Sequence, residues 1–272
     1  MKIRERECGS LLTKSRLPDA DYVINSYIGC CHGCIYCYAQ FMKRFTGHAD
    51  EAWGSFMDVK VGGRISQKAM EGKTVLFGSV TDPYNPLEKK YLATRKILEH
   101  FAGQKCGADI EILTKSPLVL RDIGLLKELR HVRVGISLST MDRDFARRIE
   151  THTVSPEERI KAVRTLHSEG ISVYVFVSPI FPLFSGWKDV VDAAGDDADM
   201  LCFENLNLRA NYRTAVFDMV RQFYPEKYGD FTALFADKKS LKMYWEQEAK
   251  AIEEYVVERP HKLYFFHEEI RK

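Results

Sequence analysis

The chain has 272 residues, 45% of them hydrophobic and 12% aromatic, with 40 basic side chains against 38 acidic for a formal net charge of +2. That composition supports a sizeable core, and the near-neutral balance gives no global electrostatic pull towards nucleic acid or an acidic membrane. The opening MKIREREC carries no apolar signal region and no apolar run approaches the ~20 residues of a membrane span, so the sequence reads as cytoplasmic with no membrane partner.

In chain order, DYVINSYI (21–28) reads as a first strand, followed at once by four cysteines in eight residues, Cys30, Cys31, Cys34 and Cys37. From about Val75 short β-rich runs alternate with amphipathic helical ones. The strand-like runs are TVLFGSV (74–80), ADIEIL (108–113), VRVGISL (132–138), ISVYVFVSPI (171–180) and DMLCFENL (199–206). Ser116-Pro117 supplies an N-cap and a first-turn proline for a helix facing inward through Leu120, Ile123, Leu126 and Leu129. Ser155-Pro-Glu-Glu158 is a capping box ahead of Ile160, Val163 and Leu166, and Gly170 ends that helix.

Strands separated by helices imply right-handed crossovers and a parallel sheet. Six strands fall short of a full eight-unit barrel. The expected fold is therefore α/β, a partial (β/α)6 TIM-type barrel over residues 1–208. Residues 209–272 form a mainly helical C-terminal extension packed on it as one structural unit, closing with KLYFFH (262–267). A doubly wound open sheet is the second choice.

Seven cysteines in a chain with a regular core do not suggest a disulfide scaffold; clustered thiols suggest metal. Two triads can be drawn, Cys30/Cys34/Cys37 as C-x3-C-x2-C and Cys31/Cys34/Cys37 as C-x2-C-x2-C. A structural zinc site usually takes four ligands in two distant pairs. Cys106 and Cys202 stand alone downstream, and a thioredoxin-like pair leaves two thiols over. Gly29 and Gly33 permit a tight loop around a metal group.

The C-x3-C-x2-C spacing with an aromatic before the last cysteine resembles the radical S-adenosylmethionine (radical SAM) superfamily. The resemblance extends through YIGCCHGCIYCYA (27–39), GSVTDPYNPLEKKYLATRKILE (78–99), ILTKSPLVLRDIGLLKEL (112–129), VGISLSTMD (134–142), RRIETHTVSPEERIKAVRTLHSEGISVYVFVSPIFP (147–182) and CFENLNL (202–208). It is nearest the branch that includes spore photoproduct lyase and DNA-repair photolyase-like proteins, and within it the mobile-element-associated members that occur in pairs.

The resemblance implies that Cys30, Cys34 and Cys37 bind three irons of a 4Fe-4S cluster whose fourth iron grips SAM. Reductive cleavage of SAM then yields a 5′-deoxyadenosyl radical that takes hydrogen from a substrate, here a nucleic acid (DNA or RNA) or nucleotide-like molecule. It implies an electron donor such as flavodoxin or ferredoxin and a second radical SAM protein as partners. Cofactor-binding positions carried over are Tyr36 and Tyr38 beside the cluster, Ser79, Thr81 and Asp82 in GSVTD, Lys115 in LTKS, Ser137 in GISLS, and Glu204 and Asn205 at the last strand end. Each has a plainer reading: Asp82 as a turn former, Lys115 as solvated, Ser137 as a strand hydrogen bond, and the tyrosines as packing.

The lyases carry a hydrogen-donating cysteine just ahead of the strand-end Thr/Ser–Asp pair. Ser79 or Val80 stands there in this chain, so the thymine-dimer reaction does not transfer with the fold. Cys202 is a replacement candidate if it points inward, with Cys8 and Cys106 as lesser ones. Tyr84 is, with Cys202, a candidate catalytic residue and, like Trp53, Phe181 and Trp187, a loop aromatic able to stack on a base. Lys43-Arg44, Lys89-Lys90 with Arg95-Lys96, and Arg143 with Arg147-Arg148 are basic clusters that serve either as solvated faces or as phosphate contacts. His32, His48 and His152 read as single structural or surface histidines, and Gly62-Gly63 is too short for a phosphate loop. A radical enzyme for a peptide or small metabolite, and a metal-containing nucleic-acid-binding protein without turnover, are the competing functions.

Overall fold

The computed structural model describes residues 1–66, 70–184 and 186–265, the side chains of 210 and 211 aside. Its largest element is an eight-stranded sheet. In chain order this takes β2 (Leu12–Lys14), β3 (Tyr22–Ile24), β6 (Thr74–Phe77), β7 (Asp109–Thr114), β8 (His131–Ser137), β9 (Ser172–Ile180), β10 (Met200–Asn205) and β11 (His261–Tyr264). Only β2 is antiparallel; β3 and β6 to β11 run parallel, each beside its predecessor. A doubly wound sheet reverses its order at a switch point. This one does not, so its right-handed crossovers place the helices on one face.

Period-two alternation then gives the two faces different jobs. Towards the helices point Val75, Phe77, Ile110, Ile112, Val134, Ile136, Val173, Val175, Leu201 and Phe203, all at most 3% exposed. Complete burial of such a side chain is worth about 1.5–3 kcal/mol. The helices α1 (Ala93–Gly103), α2 (Pro156–Ser168) and α3 (Trp187–Ala194) supply the other side of that core, through Ile97, Leu98, Phe101, Ile160, Val163, Leu166, Val190 and Val191. The Ser155–Glu158 capping box forms on α2, and Ser116 accepts from the Leu118 amide ahead of the 3-10 turn Pro117–Asp122.

Three features depart from the sequence reading. DYVINSYI is two strands, because the chain leaves the main sheet at Asn25 and Ser26. Asn25 donates to Ser79 Oγ (2.9 Å) and accepts from the Val80 amide (3.1 Å), while Ser26 C=O takes the Lys60 amide (3.1 Å). The second piece, β4 (Tyr27–Ile28), joins a separate three-stranded sheet with β1 (Lys2–Ser10) and β5 (Phe56–Arg64), neither of which was expected. Strand β1 is exposed along nearly its whole length, so its sequence has no apolar alternation to announce it.

The third departure is β11, a seventh parallel strand beyond the six expected, which pairs with β10 after the helices α4 (Ala210–Phe223), α5 (Pro225–Ala236) and α6 (Lys238–Tyr255). Residues 266–267 of KLYFFH lie outside the described residues. No helix among the described residues is long and apolar enough to cross a membrane.

Candidate active site

The cysteine loop follows β4 and is fixed by its backbone. Gly29 (φ 85°) sits where any Cβ would meet Phe56 O at 2.6 Å, and Gly33 (φ 63°) packs against Gly54. Thr81 Oγ1 donates to Gly29 C=O (2.6 Å), the Ile35 amide to Ile149 C=O (3.0 Å), and the His152 amide to His32 C=O (3.2 Å). The loop is thus tied to β5's approach, to the segment after β6 and to the helix Arg143–Ile149.

Held in this way, Cys30, Cys34 and Cys37 line one cavity of about 240 Å³, whereas Cys31 does not. Cys31 packs with Tyr27, Met57 and Val59 in the core of the small sheet. Cys30 and Cys34 are buried, and burial first, then neighbouring Asp82 and Cys37 for one and Glu150 for the other, pushes their thiols far up. Cys37 is pushed up to about 12 by burial and by Cys34. A bound metal group would favour their thiolate forms. Among the described residues no three His, Cys, Asp or Glu side chains are placed to share a single metal ion. The donor set, three thiols on one wall, suits an iron–sulfur cluster, in which each thiolate takes its own iron.

Opposite the thiols, strand ends of the main sheet supply polar groups. Lys115 Nζ donates to Ser137 Oγ (2.7 Å) and lies 3.6 Å from Glu150 Oε1. Glu150 also receives Arg159 Nη2 (2.5 Å) and the Tyr36 hydroxyl. Burial alone drives the Glu150 carboxyl upward, but Arg159 and Lys115 outweigh it and hold it down to about 2. Burial likewise disfavours the Lys115 ammonium, and the charge of Glu150, with Cys34, reverses that and raises it. Glu204 accepts from the Ser178 hydroxyl and is raised by burial. Tyr38 lines the same cavity and donates to Ser79 C=O.

Asp82 is saturated. Its oxygens accept from the Tyr84 amide (2.8 Å), Thr114 Oγ1 (2.6 Å) and the Lys115 amide (2.7 Å), with His32 Nδ1 at 3.5 Å. It closes an Asx turn and also splices the end of β6 to the end of β7, so the turn-forming reading and the strand-end reading hold together. Gly78 (φ 98°) enables that junction, since a Cβ would lie 2.4 Å from Leu113 O.

The cavity wall therefore brings together Tyr36, Tyr38, Ser79, Thr81, Asp82, Lys115, Ser137, Glu204 and Cys202 with the three thiols. Two candidates fall elsewhere. Asn205 is buried off the cavity wall, one residue out of phase with Glu204. Tyr84 is completely buried outside the cavity, near Arg121, and is no catalytic group facing a substrate. Phe181 and Trp187 are likewise 1% and 5% exposed, so neither is a stacking platform. Cys8 donates to Val61 C=O (3.7 Å) in the small sheet, and Cys106 lies in the main core.

Some groups had no signal in the sequence. His32, taken there as an isolated histidine, is 4% exposed and lines the cavity. His48 is buried between Asp58 (3.0 Å) and Glu51 (3.2 Å) and stacks on Phe56 at 3.9 Å. Deeper in the cavity, Glu111 accepts from Arg133 (2.7 Å) and from the Tyr174 hydroxyl (2.7 Å), next to Cys202 and Tyr264 on the same wall. Asp19, ahead of β3, binds Lys262 (2.8 Å) and Tyr264 (2.7 Å) of β11 and so joins the two margins of the sheet. Glu111 and Asp19 meet partners far away in sequence, which only the folded sheet aligns, whereas His48 pairs with Glu51 three residues on and with Asp58 of β5.

A mostly parallel sheet with a thiol triad over its C-terminal strand ends defines the class, and comparison with known proteins agrees. Residues 24–194 match the Radical SAM superfamily, and the chain belongs to it. Enzymes of this superfamily use a 4Fe-4S cluster and SAM, and these are the cofactors the cavity suits. The uncharacterized protein MJ0683 of Methanocaldococcus jannaschii is 35% identical over 235 residues, 86% of each chain. Spore photoproduct lyase complexed with dinucleoside spore photoproduct shares the fold, with a TM-score of 0.60 and 19% identity over 82% of this chain and 66% of that one. Streptococcus suis SuiB bound to its precursor peptide SuiA gives a TM-score of 0.52 and 14% identity over 90% of this chain and 48% of that one.

Proposed function

We propose that the protein cleaves SAM reductively at a cluster held by Cys30, Cys34 and Cys37, and abstracts hydrogen from a nucleic-acid or nucleotide-like substrate at the cavity mouth. The observation that carries this reading is the sorting of the four clustered thiols: three share a wall with Lys115, Ser137 and Glu204, and Cys31 is turned into the small sheet. When bound, the cluster supplies the electron that breaks the sulfonium C–S bond and releases a 5′-deoxyadenosyl radical.

The chain's own groups bind and orient. Lys115, kept protonated by Glu150, is placed to pair with the methionine carboxylate, and a charge-assisted contact gains strength away from water. Ser137 and Ser79 offer hydroxyls to the ribose, and Glu204, raised by burial, offers a carboxyl to the amino group or ribose. Tyr36 is locked by Glu150 and Tyr38 by Ser79, so both rings are held beside the thiols. Asp82 and Thr81 hold the loop and strand ends in register. Cys202 is the thiol outside the triad on this wall, which makes it the candidate hydrogen donor to a product radical. Residues 1–208 and 209–272 act as one unit in this reading, since β11 pairs with β10. A flavodoxin or ferredoxin supplies the electron.

The fold shared with a lyase holding a dinucleoside supports the nucleotide-like substrate class; the fold shared with SuiB supports a peptide as the second reading. Anaerobic reconstitution with iron and sulfide, then reduction with SAM, is expected to give 5′-deoxyadenosine. A chain shown to carry a complete cluster that yields none overturns the proposal.

A further inference from the structure

Directly after the last cysteine of the triad, the 3-10 turn Tyr38–Met42 and the short helix Lys43–Thr46 display an unusual surface. Tyr38, Phe41 and Phe45 are 47%, 43% and 64% exposed. Aromatic rings of this size are ordinarily buried. They form a ladder: Tyr38 and Phe41 lie 22° from parallel with centroids 6.4 Å apart, and Phe41 meets Phe45 at 6.3 Å. The first rung lines the cavity and the last stands in solvent, so the ladder leads out from the site. The only other exposed aromatics among the described residues are engaged elsewhere. Phe223 lies under Arg148 (4.0 Å), and Tyr255 donates to Asp192 (2.8 Å).

The arginines of the other basic clusters near the barrel are largely committed to carboxylates, unlike the two cations of this patch. Arg95 is committed to Glu99 (2.8 Å) and Asp122 (2.5 Å), Arg143 to Glu157 (2.5 Å), and Arg147 to Asp144. Lys90 lies over Tyr91 (5.1 Å), a ring half-buried against the small sheet, and Lys89 and Lys90 are not accompanied by exposed aromatics. Lys43 and Arg44 have no carboxylate partner among the described residues, and the Arg44 guanidinium lies 4.6 Å from the centroid of Phe45. Stacking faces interleaved with uncommitted cations match unpaired bases and the phosphates between them. A duplex hides its base faces and offers the ladder nothing to stack on, and a peptide backbone carries neither feature at regular intervals.

We infer that Tyr38, Phe41 and Phe45, with Lys43 and Arg44, form a docking track for a single-stranded stretch of nucleic acid beside the reacting nucleotide. The inference rests on the proposed nucleic-acid reading and narrows it to unpaired strands. Its test is fluorescence anisotropy of a labelled dT12 oligonucleotide with cluster-loaded protein under anaerobic conditions, over a salt series. Phe41→Ala/Phe45→Ala is expected to weaken binding about tenfold or more while leaving the salt slope unchanged. Lys43→Ala/Arg44→Ala is expected to lower the slope of log affinity against log salt by about 1.4, since each phosphate neutralised on a single strand contributes about 0.7. Thermal unfolding and cluster absorption of both variants should equal those of the parent.

No salt-dependent dT12 binding by the cluster-loaded parent overturns the inference. So does binding that both double variants leave intact, equal affinity for the corresponding duplex, or equal affinity for a labelled acidic twelve-residue peptide. The two readings fail separately. SAM cleavage without oligonucleotide binding removes only the track, and oligonucleotide binding without 5′-deoxyadenosine from loaded protein removes only the radical chemistry.

Discussion

The two faces of the main sheet are built from the same strands yet obey different rules. On the helix side the strands present mainly sealed apolar side chains, from Val75 to Phe203. On the cavity side the same strands carry Glu111, Arg133, Ser137, Tyr174, Ser178, Cys202 and Glu204. The first face is held by area removed from water, and it tolerates any well-packed hydrophobic of similar volume. The second costs free energy unless each polar group finds a partner, and Arg133–Glu111–Tyr174 and Arg159–Glu150–Tyr36 are the partnerships that offset it. Stability lives mainly behind the sheet, and chemistry in front of it.

The sharpest way to break this contrast is at the thiols. Cys34→Ala is expected to abolish visible cluster absorption and 5′-deoxyadenosine formation, while Cys31→Ala keeps both, read by anaerobic spectra and product assay. If Cys31→Ala loses the cluster and Cys30→Ala retains it, the assignment of wall and back is inverted. Next in size is the helix side: Phe203→Ala should cost about 3–5 kcal/mol in urea unfolding, with product formed per cluster unchanged in the protein that folds.

Glu150→Gln tests whether a partnership on the cavity side is structural, catalytic or both. It leaves Arg159 buried without its anion, which costs about 3–5 kcal/mol, and frees Lys115 from the charge that keeps it protonated. The expected result is lower urea stability together with a raised KM for SAM. The carboxyl's folded value of about 2 lies below its ordinary 4.5, so its stabilisation is complete above about 4.5 and is lost as pH falls towards 2. Acid titration of stability should therefore lose that part of its slope in the variant. The smallest effect belongs to the solvent-facing pair Asp144–Arg147: Asp144→Asn should shift stability by less than about 0.5 kcal/mol and leave SAM cleavage unaltered.

Much of the helix side could be read in advance. TVLFGSV, ADIEIL, VRVGISL and the capping box at Ser155 follow from local alternation and local hydrogen bonds, and each appears in place. The small sheet could not be read, because KIRERECGS is charged and exposed and its partner β5 lies some fifty residues on. Asn25 and Ser26 looked like ordinary strand residues, and only their bonds to Ser79, Val80 and Lys60 explain the change of sheet there. Around the site, the triad's spacing pointed to a cluster. The partners that set its electrostatics, Glu150 and Arg159 above all, carried no local mark.

What the amino-acid order alone determined was the alternation of strands and helices, the helix caps, and a thiol-rich loop too crowded for a disulfide scaffold. These depend on neighbours within a few residues. Tertiary structure decided which of Cys30 and Cys31 faces the cavity, that Tyr84 and Phe181 vanish into packing, and that Tyr38, Phe41 and Phe45 stay in water. Adjacent side chains of equal chemistry differ only in what the fold brings against them. Here the left-handed turn at Gly29 and the small sheet behind Cys31, assembled from β1, β4 and β5, make that choice.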